Sequence, residues 1–401
     1  MTFVGVLDEP PLARVDQHGA IAFLEATWSL DWWIGGDDRW YVPRREATVR
    51  QTLVDDRPVV RTAMRIPGGD AVQYVYGIGG SGDADPAVVV EIENDSPAPF
   101  VVAFVARDVQ SIAVEGSVVR VDRRPGIVMP RAPSRWSVAT GQSTEFEVLG
   151  GAAREGPFPA TRDRGARVEA ALLHPIPHRG RLRIVLGTGG SPFGVGDLPS
   201  LPSPQHAARA WTAMLDRGMR VNVPDPAITS AIAAARADVL LASGLRRPPG
   251  EVVAALEDWG FDAEAISAWN RLPGRGRRRA RTRPGRPARW DEVETLARSE
   301  AGASLLLAVR GMLAHEGPPG GDAAPTVTVV AALPDAWKGQ PIEVHEAPTR
   351  LGPVSFAVRW HGARPALLWD APPGTRLVAP GLDPTWSTEE PSGEALLAAP
   401  G

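Results

Sequence analysis

Four acidic side chains beside a predicted helix–helix turn are the first candidates for chemistry. Glu257 and Asp258 end one helical segment, the turn Trp259-Gly260-Phe261 follows, and Asp262 and Glu264 begin the next segment. Two carboxyl groups can hydrolyse a glycosidic bond when they lie about 5–5.5 Å or about 6.5–9.5 Å apart and one is held protonated. The candidate catalytic pair is therefore Glu257 and Asp258.

The same acids also have an ordinary structural interpretation. Asp262 fits the N-cap of the second helix, and Glu264 favours the dipole of its first turn. Glu257 and Asp258 are adjacent, so on a helix their side chains would point in different directions. The sequence alone leaves the catalytic and the structural interpretation open.

The densest aromatic and acidic cluster lies at residues 28–41 and holds four of the 13 tryptophans. Indole faces beside carboxylates suit sugar rings, which offer apolar C–H faces and hydroxyl donors. The alternative is packing in a core, since tryptophan buries well and its N–H needs one partner. The candidate substrate-binding residues are Trp28, Asp31, Trp32, Trp33, Asp37, Asp38 and Trp40.

Positive charge is concentrated at residues 271–289, which hold nine arginines and no acid. Such a segment can bind an anionic partner, or it can be a solvated linker or an arm on the chain's own acidic surface. The absence of interleaved aromatic residues argues against nucleic acid and leaves a protein partner at the helical region open. The candidate arm residues are Arg275, Arg277, Arg278, Arg279 and Arg281.

Several site classes are excluded or disfavoured. The chain has no cysteine, and prolines in 174–178 forbid the helix that would bring His174 and His178 together, so we expect no metal site. The glycine clusters at 77–82 and 187–190 lack a P-loop lysine, and we expect no cofactor. The N-terminus lacks signal-peptide features and no run approaches ~18 apolar residues, so we expect a cytoplasmic protein without a membrane partner.

The elements that must position these residues fall into three regions. Residues 1–200 show period-two alternation between turns, which predicts a large antiparallel β-sandwich. Residues 201–320 are helical and contain the arginine-rich loop, and residues 321–401 return to period two as a small C-terminal β-domain. The predicted fold class is multidomain α+β.

Two predicted hairpins and one predicted helix illustrate these regions. Strands at 48–54 and 59–64 flank Asp55-Asp56-Arg57-Pro58, and strands at 87–93 and 100–106 flank Asn94-Asp95-Ser96-Pro97. Asp225-Pro226 predicts a helix start and Gly244 its end.

Three stretches resemble a known family. The segment 87–100 is similar to a strand–turn–strand of N-terminal β-supersandwiches, Val223-Pro224-Asp225-Pro226 to the entry into a helical barrel, and 333–369 to a closing β-domain. Together they resemble bacterial six-hairpin (α/α)6 glycosidases and phosphorylases, glucoamylase-like enzymes among them. The chain also resembles a short actinobacterial group. The resemblance implies a carbohydrate-related protein.

The helical region departs from that family in length. Twelve helices of ~11–12 residues with short connections need at least ~170–200 residues, whereas Pro204 to Glu316 holds 113. The region is therefore predicted to be shortened and half-barrel-like. The preferred hypothesis is a degenerate, non-hydrolytic glucan or oligosaccharide binder. The alternatives are an active glycoside hydrolase with a reduced barrel, and a scaffold or regulatory protein that binds an anionic partner through its arginine-rich arm.

Overall fold

The computed structural model describes residues 1–7, 9–80, 85–162, 167–187, 193–274, 276–277, 287–299, 301–317 and 325–399. The chain forms two compact units, Met1–Ala210 and Trp211–Gly401. Large antiparallel sheets, a helical segment and small C-terminal sheets give the predicted multidomain α+β structure. No helix in the described part of the chain is long and apolar enough to span a membrane.

The first unit contains two large sheets. Its strands are β1 (Thr2–Val4), β2 (Ala13–Val15), β3 (Ile21–Phe23), β4 (Ser29–Gly35), β5 (Trp40–Tyr41), β6 (Arg50–Leu53), β7 (Val59–Ile66), β8 (Gly69–Ile78), β9 (Ala87–Asn94), β10 (Phe100–Val109), β11 (Ser111–Glu115), β12 (Val118–Val121), β13 (Arg124–Val128), β14 (Arg135–Thr140), β15 (Thr161–Arg162), β16 (Val168–Ile176) and β17 (Arg181–Gly187). One sheet has the order β1-β2-β3-β4-β10-β16-β14, with β5 paired to β4. The other has the order β15-β11-β12-β13-β17-β9-β8-β7-β6.

Strand alternation divides the large side chains between two apolar clusters. On β4, Leu30, Trp32 and Ile34 join the main core of the unit, while Trp33 packs with Ala103 in a separate cluster. Successive side chains of a strand point to opposite faces, so neighbouring tryptophans separate in this way. Each such burial stabilises the fold by about 1.5–3 kcal/mol.

The first predicted hairpin is confirmed and the second is wrong. β6 pairs with β7, with Leu53 opposite Val60. By contrast, β9 pairs with β8 and β17, whereas β10 pairs with β4 and β16, so the chain changes sheets between them. Buried Asn94 shapes this crossing: its amide donates to the carbonyls of Ala98 (2.8 Å) and Pro177 (3.1 Å), and its oxygen accepts from the Ser96 backbone N–H.

Helices dominate the first half of the second unit. The helices are α1 (Glu145–Leu149), in the first unit, followed by α2 (Pro204–Leu215), α3 (Pro226–Ser243), α4 (Gly250–Asp258), α5 (Asp262–Arg271), α6 (Trp290–Ala297) and α7 (Gly302–Leu313). The start of α3 is as predicted, because the Asp225 carboxylate accepts from the backbone N–H groups of Ala227 (2.9 Å) and Ile228 (3.1 Å). The α4–α5 turn is also confirmed, with Gly260 at φ 80°.

The remaining strands form two small sheets. They are β18 (Arg220–Asn222), β19 (Ala314–Glu316), β20 (Thr326–Val329), β21 (Ile342–Ala347), β22 (Val354–His361), β23 (Arg364–Asp370), β24 (Arg376–Ala379), β25 (Asp383–Thr388) and β26 (Ser392–Leu396). The sheet orders are β18-β21-β22-β23-β26 and β19-β20-β24-β25, and β20 runs parallel to β24. β18 and β19 come from the helical region, and the domain boundary near residue 320 stays a prediction.

Candidate functional site

A pocket of about 660 Å³ opens in the second unit between α4, α6, α7 and β19. Glu251 and Asp258 line it from α4, and Glu292 lines it from α6. The α7–β19 side supplies Ser304, Leu307, Ala308, Arg310, Gly311, Ala314, His315 and Glu316. The pocket thus combines carboxylates, an arginine and a histidine with small apolar side chains.

Helix geometry explains why Asp258 reaches this pocket and its neighbour does not. Glu251 and Asp258 are seven residues apart, close to two turns of α4, so they share a face. Glu257 is exposed and does not line the pocket. The predicted acid pair is therefore separated, in agreement with the expectation that adjacent helical residues point apart. Ser304 Oγ donates to Glu251 Oε2 at 3.2 Å.

A buried tryptophan holds α4 against α7. The side chain of Trp259 directly follows Asp258 and is fully buried. Its indole N–H donates to the Leu306 carbonyl at 2.9 Å. This bond positions the C-terminal end of α4 beside the middle of α7. Asp258 on α4 and Arg310 on α7 therefore lie on the two helices that Trp259 joins.

The side of the pocket formed by α7 is mostly apolar, and most of its side chains are small. Ser304, Leu307, Ala308 and Gly311 recur at intervals of three and four residues and therefore share one helix face. A Cβ added at Gly311 would lie 3.4 Å from the Ala288 backbone nitrogen, an ordinary van der Waals distance, so α7 packs directly against the segment that contains Ala288. This face can contact an apolar part of a ligand.

His315 and Glu316 reach the pocket because α7 passes into β19 without a loop. The carbonyls of Met312 and Leu313 at the helix end accept hydrogen bonds from the backbone N–H groups of Ala331 (2.8 Å) and Val330 (2.9 Å). Residues beyond β20 thus satisfy carbonyls that the helix end leaves without partners.

Arg310 and His315 line the pocket together with Asp258 and Glu316. Arg310 donates through Nε to the Asp258 carbonyl at 3.2 Å and through Nη2 to the Pro348 carbonyl. Burial, followed by the charge of Arg310, lowers the pKa of His315, while Asp258 and Glu316 oppose that shift. Burial and the charge of Arg310 thus favour the neutral form of the His315 imidazole.

Hydrogen bonds and an ion pair hold the carboxylates of Glu316 and Glu292 in place. Glu316 pairs with the Arg350 guanidinium, with 2.9 Å between Oε1 and Nε, and accepts from the Arg350 backbone N–H at 3.2 Å. Glu292 lies in the first turn of α6 and accepts from the Arg289 backbone N–H at 3.3 Å. Such contacts orient the acceptor groups before any ligand arrives.

The aromatic cluster at 28–41 is mostly part of the protein core. Trp28, Trp32 and Trp33 are buried, the last two completely. Trp32 Nε1 donates to the His18 carbonyl at 3.1 Å, and Trp33 Nε1 to Asp31 at 3.3 Å. The ring faces predicted to stack on a sugar are therefore closed by packing, which is the alternative that the sequence left open.

The acidic members of that cluster divide in the same way. Asp31 is buried and pairs with Arg44 (2.8 Å) and Arg107 (3.2 Å). Asp37 and Asp38 are exposed, and Trp40 is half-buried. A hydrogen bond from the Tyr41 hydroxyl (2.7 Å) lowers the pKa of Asp38. Of the predicted set, Asp37, Asp38 and Trp40 are the members that a ligand could reach.

Asp262 and Glu264, in the first turn of α5, have structural roles. Phe261, and not Asp262, occupies the N-cap position, and Asp262 is the first helical residue. The predicted cap was wrong by one position. Glu264 is buried and pairs with Arg217 at 2.6 Å.

The arginine-rich arm is largely outside the described residues. Arg275, Arg278, Arg279 and Arg281 lie outside them. The Arg277 guanidinium lies 5.6 Å from the centre of the Trp269 ring, a cation–π distance. Binding of an anionic partner by this arm stays a prediction.

No group of acidic or histidine side chains among the described residues is arranged to hold a metal ion. His174 is buried on β16 with Nε2 3.1 Å from Met129 Sδ, and His178 is exposed. The imidazole rings of His174 and His178 thus lie in different environments, one buried and one exposed.

Sequence reasoning found Asp258 but missed the other polar residues of the pocket. One usable signal was present: Arg310 interrupts the apolar run from Leu305 to Leu313, and a charge in such a run needs a buried partner or a site. Glu251, Glu292, His315 and Glu316 carried no comparable local signal.

Comparisons with known proteins give a distant structural likeness. No protein-family model matches the sequence, and no curated protein matches it. Among solved structures, a bacterial glucoamylase in complex with acarbose matches with 8% identity and a TM-score of 0.42. The match covers 67% of this chain and 49% of the glucoamylase chain, so this chain spans about half the length of that structure.

Proposed function

We propose that this protein binds an oligosaccharide in the pocket of the second unit. One observation carries the proposal: a concave site of about 660 Å³ brings carboxylate acceptors of α4, α6 and β19 together with a buried arginine donor and apolar side chains of α7. Ligand sites of roughly 300–1,000 Å³ are typical, and their few polar groups fix the orientation of the ligand.

The polar lining suits hydroxyl groups in particular. A hydroxyl both donates and accepts hydrogen bonds. Glu251, Asp258 and Glu316 can accept from a sugar hydroxyl, while Arg310 can donate to one. Leu307 and Ala308 offer an apolar contact for the C–H face of the same ring.

This proposal moves the preferred site away from the 28–41 cluster. Stacking needs an open ring face, and Trp32 and Trp33 are completely buried. Trp40, Asp37 and Asp38 are the smaller part of the cluster that a ligand could reach. The helical unit therefore has the stronger support.

Blocking the pocket with a large side chain provides the direct test of the proposal. In a thermal-shift screen of α- and β-glucans and short oligosaccharides, a ligand that binds should raise the melting temperature of the wild-type protein. A ligand that binds only the native state stabilises that state. Ala308→Phe puts a large ring into the pocket and should abolish the shift. Ala263→Phe, at an exposed position on α5, is the matched control and should keep it.

Two results would contradict the proposal. One is the absence of any shift across the panel at millimolar ligand. The other is an unchanged shift in Ala308→Phe, provided that circular dichroism shows a folded variant.

Glycoside hydrolysis is the second candidate function. The observation in its favour is that two carboxylates, Asp258 and Glu316, line one pocket together with Arg310 and His315. An overnight product assay with the best-binding saccharide separates the candidates. A hydrolase should lose turnover in both Asp258→Asn and Glu316→Gln, whereas a binder yields no product in any variant.

A further inference from the structure

Arg310 is an unusual lining residue because it lies inside an apolar helix. Only 6% of its surface is exposed, and its neighbours on α7 include buried Leu306, Val309 and Leu313. Arginine side chains usually keep their guanidinium group in water. A buried guanidinium therefore needs hydrogen-bond acceptors from the protein or from a ligand.

The protein supplies acceptors for only part of this group. Nε donates to the Asp258 carbonyl and Nη2 to the Pro348 carbonyl. Arg310 forms no ion pair with the described residues, and Nη1 meets no acceptor among them. Because Arg310 lines the pocket, this remaining donor is available to a ligand.

The charges around Arg310 define the kind of acceptor that fits. Burial lowers the pKa of Arg310, and the charges of Asp258 and Glu316 oppose that shift. Glu251 and Glu292 line the same pocket. A carboxylate on the ligand would approach these acids as well as the arginine. An uncharged oxygen gains the hydrogen bond without that repulsion.

We infer that Nη1 of Arg310 donates to a hydroxyl or ring oxygen of the bound saccharide, and that the carboxylates lining the pocket beside it make the pocket selective for neutral over acidic sugars. This inference rests on the proposed saccharide function. It adds a ligand-binding residue and a ligand class to that function.

The first experiment uses the wild-type protein and three trisaccharides. Isothermal titration at pH 7.5 and low salt compares neutral trisaccharides, maltotriose and cellotriose, with trigalacturonate. The neutral sugar that binds should do so at least about tenfold more tightly. The affinity for trigalacturonate should rise with salt, because salt screens the repulsion between its carboxylates and the lining acids.

The second experiment changes the arginine. Arg310→Lys keeps the positive charge but removes Nη1, and should weaken binding of the neutral trisaccharide about tenfold to a hundredfold, the range for one hydrogen bond to a charged group. Arg298→Lys, at an exposed position directly after α6, is the matched control and should bind like the wild type. If Arg310→Lys does not fold, the wild-type comparison decides alone.

The outcomes separate the inference from the function beneath it. Equal or tighter binding of trigalacturonate, or wild-type affinity in a folded Arg310→Lys, overturns the inference and leaves saccharide binding standing. If none of the trisaccharides binds, the proposed function fails and the inference falls with it.

Discussion

His174 and Arg310 are both ionisable and both lie inside their units, but their surroundings differ. His174 lies beside Met129 and Phe104, and its Nδ1 has no partner among the described residues. Arg310 lines a pocket and has two carbonyl partners. His174 is buried among apolar side chains, so its protonation affects stability. Arg310 lines the pocket, so it can bind a ligand.

His174 should make the first unit less stable in acid. Burial, with a smaller effect from Arg131, lowers the pKa of His174 to about 4. An unfolded histidine titrates near 6.5, so between roughly pH 6.5 and 4 only the unfolded state binds the proton, and stability falls by up to about 3 kcal/mol. Urea unfolding of wild type and His174→Leu over this range measures the difference.

The His174→Leu variant should lose that part of the pH dependence, since leucine does not titrate. The exposed His178→Gln variant should keep it. Parallel pH profiles for wild type and His174→Leu would show that carboxylates, not His174, control acid unfolding.

Asp258 and Glu257 should differ in saccharide binding although they are adjacent. Asp258→Asn removes a charged acceptor from the pocket and should weaken binding about tenfold or more. Glu257→Gln changes an exposed side chain outside the lining and should leave the affinity within about twofold. Titration calorimetry with the best ligand of the screen measures both, and equal losses would remove Asp258 from the site.

At the scale of elements, close backbone approaches set the positions of strands and helices. The α7–β19 junction brings His315 and Glu316 to the pocket, and the bond from Trp259 to the Leu306 carbonyl fixes α4. In the first unit, β8 passes close to the residues after β1. Gly77 makes this approach possible, because a Cβ there would lie 2.2 Å from the Gly5 carbonyl oxygen.

Gly77→Ala should therefore destabilise the first unit by about 1–3 kcal/mol, the usual range for overpacking a dense interior. Gly79→Ala, two residues further along, is the control, because nothing lies within 4 Å of its added Cβ. Urea midpoints of both variants measure the effect. A midpoint for Gly77→Ala equal to that of Gly79→Ala would mean that the strands move apart at little cost.

At the scale of the whole molecule, the proposed site belongs to one compact unit. Every lining residue of the pocket falls within Trp211–Gly401. The aromatic cluster at 28–41 falls within Met1–Ala210. The two candidate sites are thus distinguishable by where a ligand protects the chain.

Hydrogen exchange with a saturating saccharide should show that difference. Bound ligand suppresses local opening, so added protection should appear in α4, α7 and β19. Residues 28–41 should exchange at the rate of the free protein. Protection at 28–41 without protection in α4 and α7 would return the binding site to the aromatic cluster.

Local features of this protein could be predicted from its sequence because they depend on neighbouring residues. The β6–β7 hairpin, the Asp225 cap of α3 and the Gly260 turn between α4 and α5 each arise within a few residues. The alternation that makes both β regions is equally local. These patterns were sufficient for the fold class.

Only the tertiary structure decided which side chains are open and which meet. The sequence could not tell that β9 and β10 enter different sheets, or that Trp32 and Trp33 are completely buried. The pocket joins residues from Glu251 to Pro348, and Asp258 enters it while Glu257 does not. Such contacts depend on long-range packing of whole elements, which residue type and spacing along the chain do not specify.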